Sequence, residues 1–142
     1  MAKGRPDFSP TAVDVVLQPE WAAKEGTDKN FKASKEVTTY GDGAAVTYEV
    51  PAGKTLVITQ IGGRSRARLQ ADANNNQMCE VTIYEYDGLG YVAVETVGGN
   101  GGAYMALKKP RVFEAGDKVQ FGISNWANHD VHTWVNASGY EY

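Results

Sequence analysis

Few residues of this 142-residue chain combine a reactive type with a useful spacing. His129, Asp130 and His132 form a His-Asp-x-His run that could hold a metal ion if its loop folded suitably. A zinc site takes three or four protein ligands in most cases, and the chain has only these 2 histidines. On a strand, positions 129 and 132 would face opposite sides, because their separation is odd. Gly53-Lys54-Thr55 spells the end of a phosphate-binding loop. Pro51 and Ala52 precede it, however, and a strand pattern follows where a helix is needed. Gly98-Gly99-Asn100-Gly101-Gly102 is glycine-rich without matching either nucleotide-binding pattern. No serine sits in a Gly-x-Ser-x-Gly elbow. Glu80 with Glu85, or Glu85 with Asp87, could mimic a glycosidase pair, but exposed strand faces carry such acids routinely. Cys79 is the only cysteine and reads as a small buried hydrophobe. These residues lead us to expect no enzyme, no catalytic or metal-ligating residue and no cofactor.

Two surface patterns carry more information. Arg64, Arg66 and Arg68 recur at spacing 2, so a strand would set their guanidinium groups in one row. A row of like charges is costly unless water solvates it or an acidic partner meets it, and arginine suits interface ion pairs. Tyr84, Tyr86, Tyr91, Tyr104, Trp126 and Trp134 exceed what a core requires. Such residues favour protein interfaces, stack on sugar rings, or pair across strands. Val81 and Ile83 fit the core face of their strand, which leaves Tyr84 and Tyr86 on the other.

These side chains must be positioned by strands. Val46 to Val50 alternates, Pro51-Ala52-Gly53-Lys54 has the chemistry of a type II turn, and Thr55 to Ile61 is β-branched. Gly62-Gly63 breaks that run or marks a bulge. Arg64 to Leu69 alternates, Asp72 to Gln77 is a loop, and Met78 to Tyr86 is a strand. Asp87-Gly88-Leu89-Gly90 is a hairpin turn. Tyr91 to Val97, a flexible stretch at residues 98–102, and Ala103 to Leu107 follow. Arg111 to Glu114, Val119 to Ser124 and Val131 to Tyr140 complete the set, with Trp126 to Asp130 as a loop. About eight strands with no convincing helix predict an all-β sandwich or barrel. Val50-Pro51-Ala52-Gly53-Lys54-Thr55-Leu56 is echoed by Phe113-Glu114-Ala115-Gly116-Asp117-Lys118-Val119, as equivalent turns in two halves of a sandwich would be.

Residues 1–36 lack any sustained period and contain Pro6, Pro10 and Pro19. They read as an extended N-terminal arm ahead of a domain at 37–142. Phe8, Val15, Leu17, Trp21 and Phe31 are spaced along it as anchors, into a neighbouring chain or onto their own domain.

The formal net charge is −3, from 14 basic and 17 acidic residues, which argues against a general nucleic-acid binder. No stretch has the roughly 18 consecutive apolar residues of a membrane span. No hydrophobic run follows Met1 to Pro6, and a lone thiol suits a reducing compartment. The expected site of synthesis is therefore a cytoplasm.

The body from about Tyr40 to Tyr142 resembles the jelly-roll domains of tailed-phage virion proteins, including capsid decoration (cement) proteins. The resemblance rests on Val50-Pro51-Ala52-Gly53-Lys54-Thr55-Leu56-Val57-Ile58, on Phe113-Glu114-Ala115-Gly116-Asp117-Lys118-Val119, on the Asn125 loop and on the closing Ser138-Gly139-Tyr140-Glu141. It implies a jelly-roll β-sandwich of about eight antiparallel strands on the capsid exterior. The implied partners are the major capsid protein and further copies of the chain, as a homotrimer. Arg64, Arg66, Arg68 and Trp126, with the arm anchors, are the expected partner contacts. A carbohydrate-binding, lectin-like module is the alternative, with Trp126 or Trp134 as the stacking residue.

Overall fold

Among the described residues, alternating apolar and polar residues, punctuated by glycine turns, build eight strands and a short 3-10 turn at Gln70–Asp72. The computed structural model describes residues 26–142. The strands are β1 (Thr27–Val37), β2 (Ala45–Glu49), β3 (Leu56–Ala67), β4 (Met78–Tyr86), β5 (Tyr91–Asn100), β6 (Gly102–Phe113), β7 (Lys118–Asn125) and β8 (Val131–Glu141). They form two four-stranded antiparallel sheets, ordered β1-β8-β3-β6 and β2-β7-β4-β5. This interleaved order, with chain-consecutive strands mostly in opposite sheets, is that of a jelly-roll β-sandwich.

The inward faces share one core, in which Leu56, Ile58, Ile61, Val81, Ile83, Phe113, Val119 and Phe121 are fully buried. Burying each of these side chains contributes about 1.5–3 kcal/mol. Ile58 and Ile61 are both buried although three positions apart, which strict alternation forbids. The resolution is a register shift between Ile58 and Gln60. There Thr59 is the extra residue against β8, and β6 loops out Leu107 to Pro110 on the other side. The irregularity thus lies at Thr59, not at Gly62-Gly63, which run within a continuous strand. Gly63 lacks a side chain because a Cβ would lie 2.6 Å from the Trp134 carbonyl oxygen.

The predicted arm extends too far into the domain. Residues 27–36 belong to β1, which pairs with β8 from Thr27↔Glu141 to Val37↔Val131. The polar look of this segment comes from its outward residues and from Lys29 and Lys35 in its inward row, while Phe31 and Val37 are buried. Phe8, Val15, Leu17 and Trp21 lie outside the described residues. The stretch at residues 98–102 is also more ordered than expected. Gly98 and Gly99 pair with Glu80 and Cys79, leaving the turn to Gly101, whose φ is 81°.

The two echoed turns sit against each other. The Val50 N–H donates to the Asp117 carbonyl at 2.9 Å, and the Gly116 N–H donates to the Val50 carbonyl at 2.8 Å. Gly53 and Gly116 supply the positive φ of 77° and 90° that these turns require.

Candidate binding face

The outward side of the β1-β8-β3-β6 sheet collects the most distinctive side chains. Spacing 2 along β3 puts Arg64 and Arg66 on this face, both exposed, with Ser65 buried between them. Spacing 2 along β8 puts His132, Trp134 and Asn136 beside them. Register aligns Arg64 with Trp134 and Arg66 with His132, and Ser34 of β1 lies opposite Trp134 on its other flank. Tyr104 of β6 aligns with Gly62.

Contacts fix these groups as one array. The Arg64 guanidinium lies 4.4 Å from the centre of the Trp134 ring, an arrangement worth about 0.5–1 kcal/mol at an exposed site. His132 stacks on the same indole, with centroids 4.1 Å apart and planes 9° from parallel. The Tyr104 hydroxyl donates to Gln60 Oε1 at 2.6 Å. Trp134 forms a ridge between two open grooves. One is bounded by Gly62, Arg64, Tyr104 and Asn136, with a volume of about 370 Å³. The other is bounded by Lys32, Ser34 and Asn136, at about 440 Å³. Gly62 keeps the first groove open, since a Cβ there would meet Asn136 and Tyr104 at 3.2 Å each.

Charge is unbalanced along the arginine row. Arg68 is held by Glu36 at 3.4 Å and Asp130 at 3.8 Å. Arg64 and Arg66 form no ion pair among the described residues. Only Arg64 and Arg66 of the predicted row lie on β3, because the strand ends at Ala67; Arg68 follows in a bend and is internally neutralised.

The other predicted contacts are placed elsewhere. Phe31 is a core residue of its own domain, stacked on Phe121 at 4.9 Å and tilted against Tyr48 at 4.9 Å. It cannot anchor a neighbour, because its surface is spent in this core. Trp126 sits in the β7–β8 loop, away from the arginines. Its Nε1 donates to Glu80 at 3.2 Å, and Tyr40 packs edge-on at 5.1 Å.

The His129 ring nitrogens lie 3.2 Å from the Asp130 carbonyl oxygen and 3.0 Å from that of Asn76, of which a neutral imidazole can donate to one. Among the described residues no group of three or more His, Cys, Asp or Glu side chains could hold a metal. Cys79 is buried in the core, and burial pushes its thiol pKa up, away from the reactive thiolate.

Trp134 and His132 were visible as residues but not as a site. Their spacing along β8 is legible, whereas their alignment with the arginines depends on the β3–β8 register, which no local pattern encodes.

Fold and face together define a jelly-roll domain that presents an arginine and tryptophan surface. No family model matches the chain, and no curated protein sequence matches it. Among solved structures, the chain is similar to a mitogen derived from Yersinia pseudotuberculosis. The identity is 9%, with 80% of this chain and 86% of that chain covered and a TM-score of 0.35. It is also similar to Eiger TNF from S. frugiperda, at 11% identity, 81% and 92% coverage and a TM-score of 0.42. The jelly-roll assignment rests on the strand order itself.

Proposed function

We propose that this chain is a virion structural protein, a decoration (cement) subunit that binds and stabilises an assembled tailed-phage capsid shell. The observation that carries the reading is the pair Arg64 and Arg66. They are exposed and without an ion pair among the described residues, beside half-buried Trp134 on a flat sheet face. Arginine and tryptophan are the residues that dominate protein interfaces. A flat surface with shallow grooves suits a broad protein partner better than an enclosed small molecule. The resemblance of the turn motifs to those of phage jelly rolls supports the same reading.

The mechanism is mass action. A subunit that binds only the assembled shell lowers the free energy of that state, by an amount that grows with its concentration over Kd. Partner carboxylates facing Arg64 and Arg66 would give register and speed of association.

A sugar-binding role is less well supported by the geometry. Stacking on a sugar needs a free aromatic face, and His132 lies flat on Trp134. Trp126 is engaged by Tyr40 and Glu80.

The test is co-sedimentation of the purified chain with expanded, undecorated shells of the cognate phage, alongside heat-release of the packaged DNA. Saturable binding, with a raised release temperature and a loss of at least tenfold in affinity for Arg64→Ala/Arg66→Ala, is expected. Absence of co-sedimentation combined with glycan-array binding would replace this reading with the lectin-like one.

A further inference from the structure

The two grooves beside Trp134 are chemically alike. Arg64 of β3 walls the first, and Lys32 of β1 walls the second. Both cations are exposed, and neither forms an ion pair among the described residues. Asn136 lines both grooves, and its amide makes no hydrogen bond among the described residues. The first groove thus offers an arginine fork, which fits a carboxylate through two parallel bonds, beside an amide donor. The second offers an ammonium beside the Ser34 hydroxyl. The ridge between them is fixed, because His132 stacks on the indole and Arg64 lies over it.

The face has few carboxylates of its own to answer these cations. Glu36 stands 3.4 Å from Arg68 and 4.0 Å from His132. Asp28 lies four residues along β1 from Lys32, about 13 Å away in an extended strand. The opposite charge must therefore come from outside.

The sheet fixes the spacing at which it must come. Arg64 pairs with Trp134 and Lys32 with Asn136, so the two cations are rooted two strands apart and two residues out of level. With strands about 4.8 Å apart and about 3.3 Å per residue, the roots are about 12 Å apart. Residues i and i+4 of an extended segment are about 13 Å apart and point to the same side, as does residue i+2 between them.

We propose that this face seats an extended acidic segment of the shell protein, laid obliquely across β3, β8 and β1 with carboxylates at i and i+4. One carboxylate meets Arg64 and Asn136, the other meets Lys32 and Ser34, and residue i+2 rests on Trp134. The identity of the partner rests on the shell reading, whereas the carboxylate spacing comes from this face alone.

The probe is the synthetic peptide acetyl-Thr-Glu-Thr-Ala-Thr-Glu-Thr-amide, titrated into the full chain and followed by NMR. Shifts are expected at the Trp134 indole N–H and at the side-chain N–H groups of Arg64 and Asn136. Replacing both glutamates of the peptide by glutamine should raise Kd at least fivefold. Lys32→Gln and Arg64→Gln should each raise it at least threefold. Gly62→Ala should weaken binding with no change of charge, because its Cβ narrows the first groove. Circular dichroism confirms folding, and Lys32, exposed on an edge strand, decides the case even if Gly62→Ala does not fold. Equal affinity for the glutamate and glutamine peptides, or a Kd indifferent to Lys32→Gln, would overturn the proposal. So would tighter binding of oligothymidine at the same residues, which would assign the face to nucleic acid. Co-sedimentation with shells separates this proposal from the reading it rests on. Peptide binding in the expected pattern without shell binding supports the acidic seat and removes the shell as its source. Shell binding unchanged by Lys32→Gln keeps the shell and removes the seat.

Discussion

Arg111 of β6 reaches from one sheet to the other, where its Nη2 donates to the carbonyl oxygen of Val94 in β5 at 2.7 Å. Val94 is the bulged residue of β5, so its carbonyl lacks a regular place in the ladder. A single guanidinium thereby joins two sheet edges that share no ladder hydrogen bonds.

Arg111→Met should keep the aliphatic stem and remove this link. The ion pair to Glu95 is exposed and adds little, so the loss is mainly one charge-assisted hydrogen bond, about 1–2 kcal/mol. Thermal denaturation should show Tm lowered by about 3–6 °C for a chain of this size. Hydrogen exchange should speed up at Val94 and Glu95 before it does in β8. An unchanged Tm would mean that water replaces the guanidinium without cost.

The boundary of the folded unit can be tested by truncation. A chain beginning at Gly26 retains every strand among the described residues, whereas one beginning at Val37 loses all but the last residue of β1. The shorter chain gives up burial of Phe31, worth about 2–3 kcal/mol. It also leaves the β8 edge unpaired along residues 132–141. We expect the chain from Gly26 to show cooperative unfolding and the chain from Val37 to be aggregated or unfolded, as read by circular dichroism and by solubility. Equal stability of the two would show that β1 is dispensable.

That misplaced boundary shows what kind of information the sequence holds. Turns written in a few adjacent residues were legible. Asp87 caps its predicted hairpin by accepting the N–H groups of Leu89 and Gly90 at 2.9 and 3.0 Å. The paired alternation of Val81 and Ile83 likewise marked the core face correctly. β1 was missed because only Phe31, Ala33 and Val37 of its inward row are apolar, with Lys29 and Lys35 in the same row. Lys29 is satisfied by Glu141, far along the chain, and Lys35 by Asp42 in the turn that follows β1. The site was half legible for the same reason. The arginine row is local, while its alignment with Trp134 and His132 is set by strands far apart in sequence.

Alkaline pH should expose a buried polar link. The Tyr48 hydroxyl donates to Glu141 Oε2 at 2.6 Å. Burial, then the hydrogen bond and charge of Glu141, raise its pKa above the ordinary 10.0. A raised folded-state pKa stabilises the protein fully below the unfolded value and loses that contribution as pH rises through the folded one. Stability should therefore begin to fall near pH 10 and continue downward above it. Tyr48→Phe should cost about 1–2 kcal/mol at neutral pH, because buried Glu141 loses a donor. It should also flatten this alkaline decline. Tm measured across the range would refute the argument if the variant kept the native slope.

Arg66 lies on β3 and Arg68 just beyond its end at Ala67, and the structure gives them opposite duties. Arg68 spends its charge on Glu36 of β1 and Asp130 before β8, tying three segments at one end of the sheet. These partners are substantially exposed, so the tie is worth less than about 1 kcal/mol. Arg66 has no such partner among the described residues. Arg66→Ala should then leave Tm unchanged within the usual surface range of about 0.5 kcal/mol, while weakening shell binding and reducing its salt dependence. Arg68→Ala should lower Tm slightly and leave shell binding nearly intact. Removing a like-charged neighbour offers a further check. If Arg64 and Arg66 repel across a solvated face, Arg66→Ala raises Tm by a few tenths of a kcal/mol equivalent. The gain should vanish at high salt, where surface repulsion is screened. Equal effects of the two substitutions on both readouts would show that the row acts as undifferentiated surface charge. The assignment of Arg66 to a partner contact would then be lost.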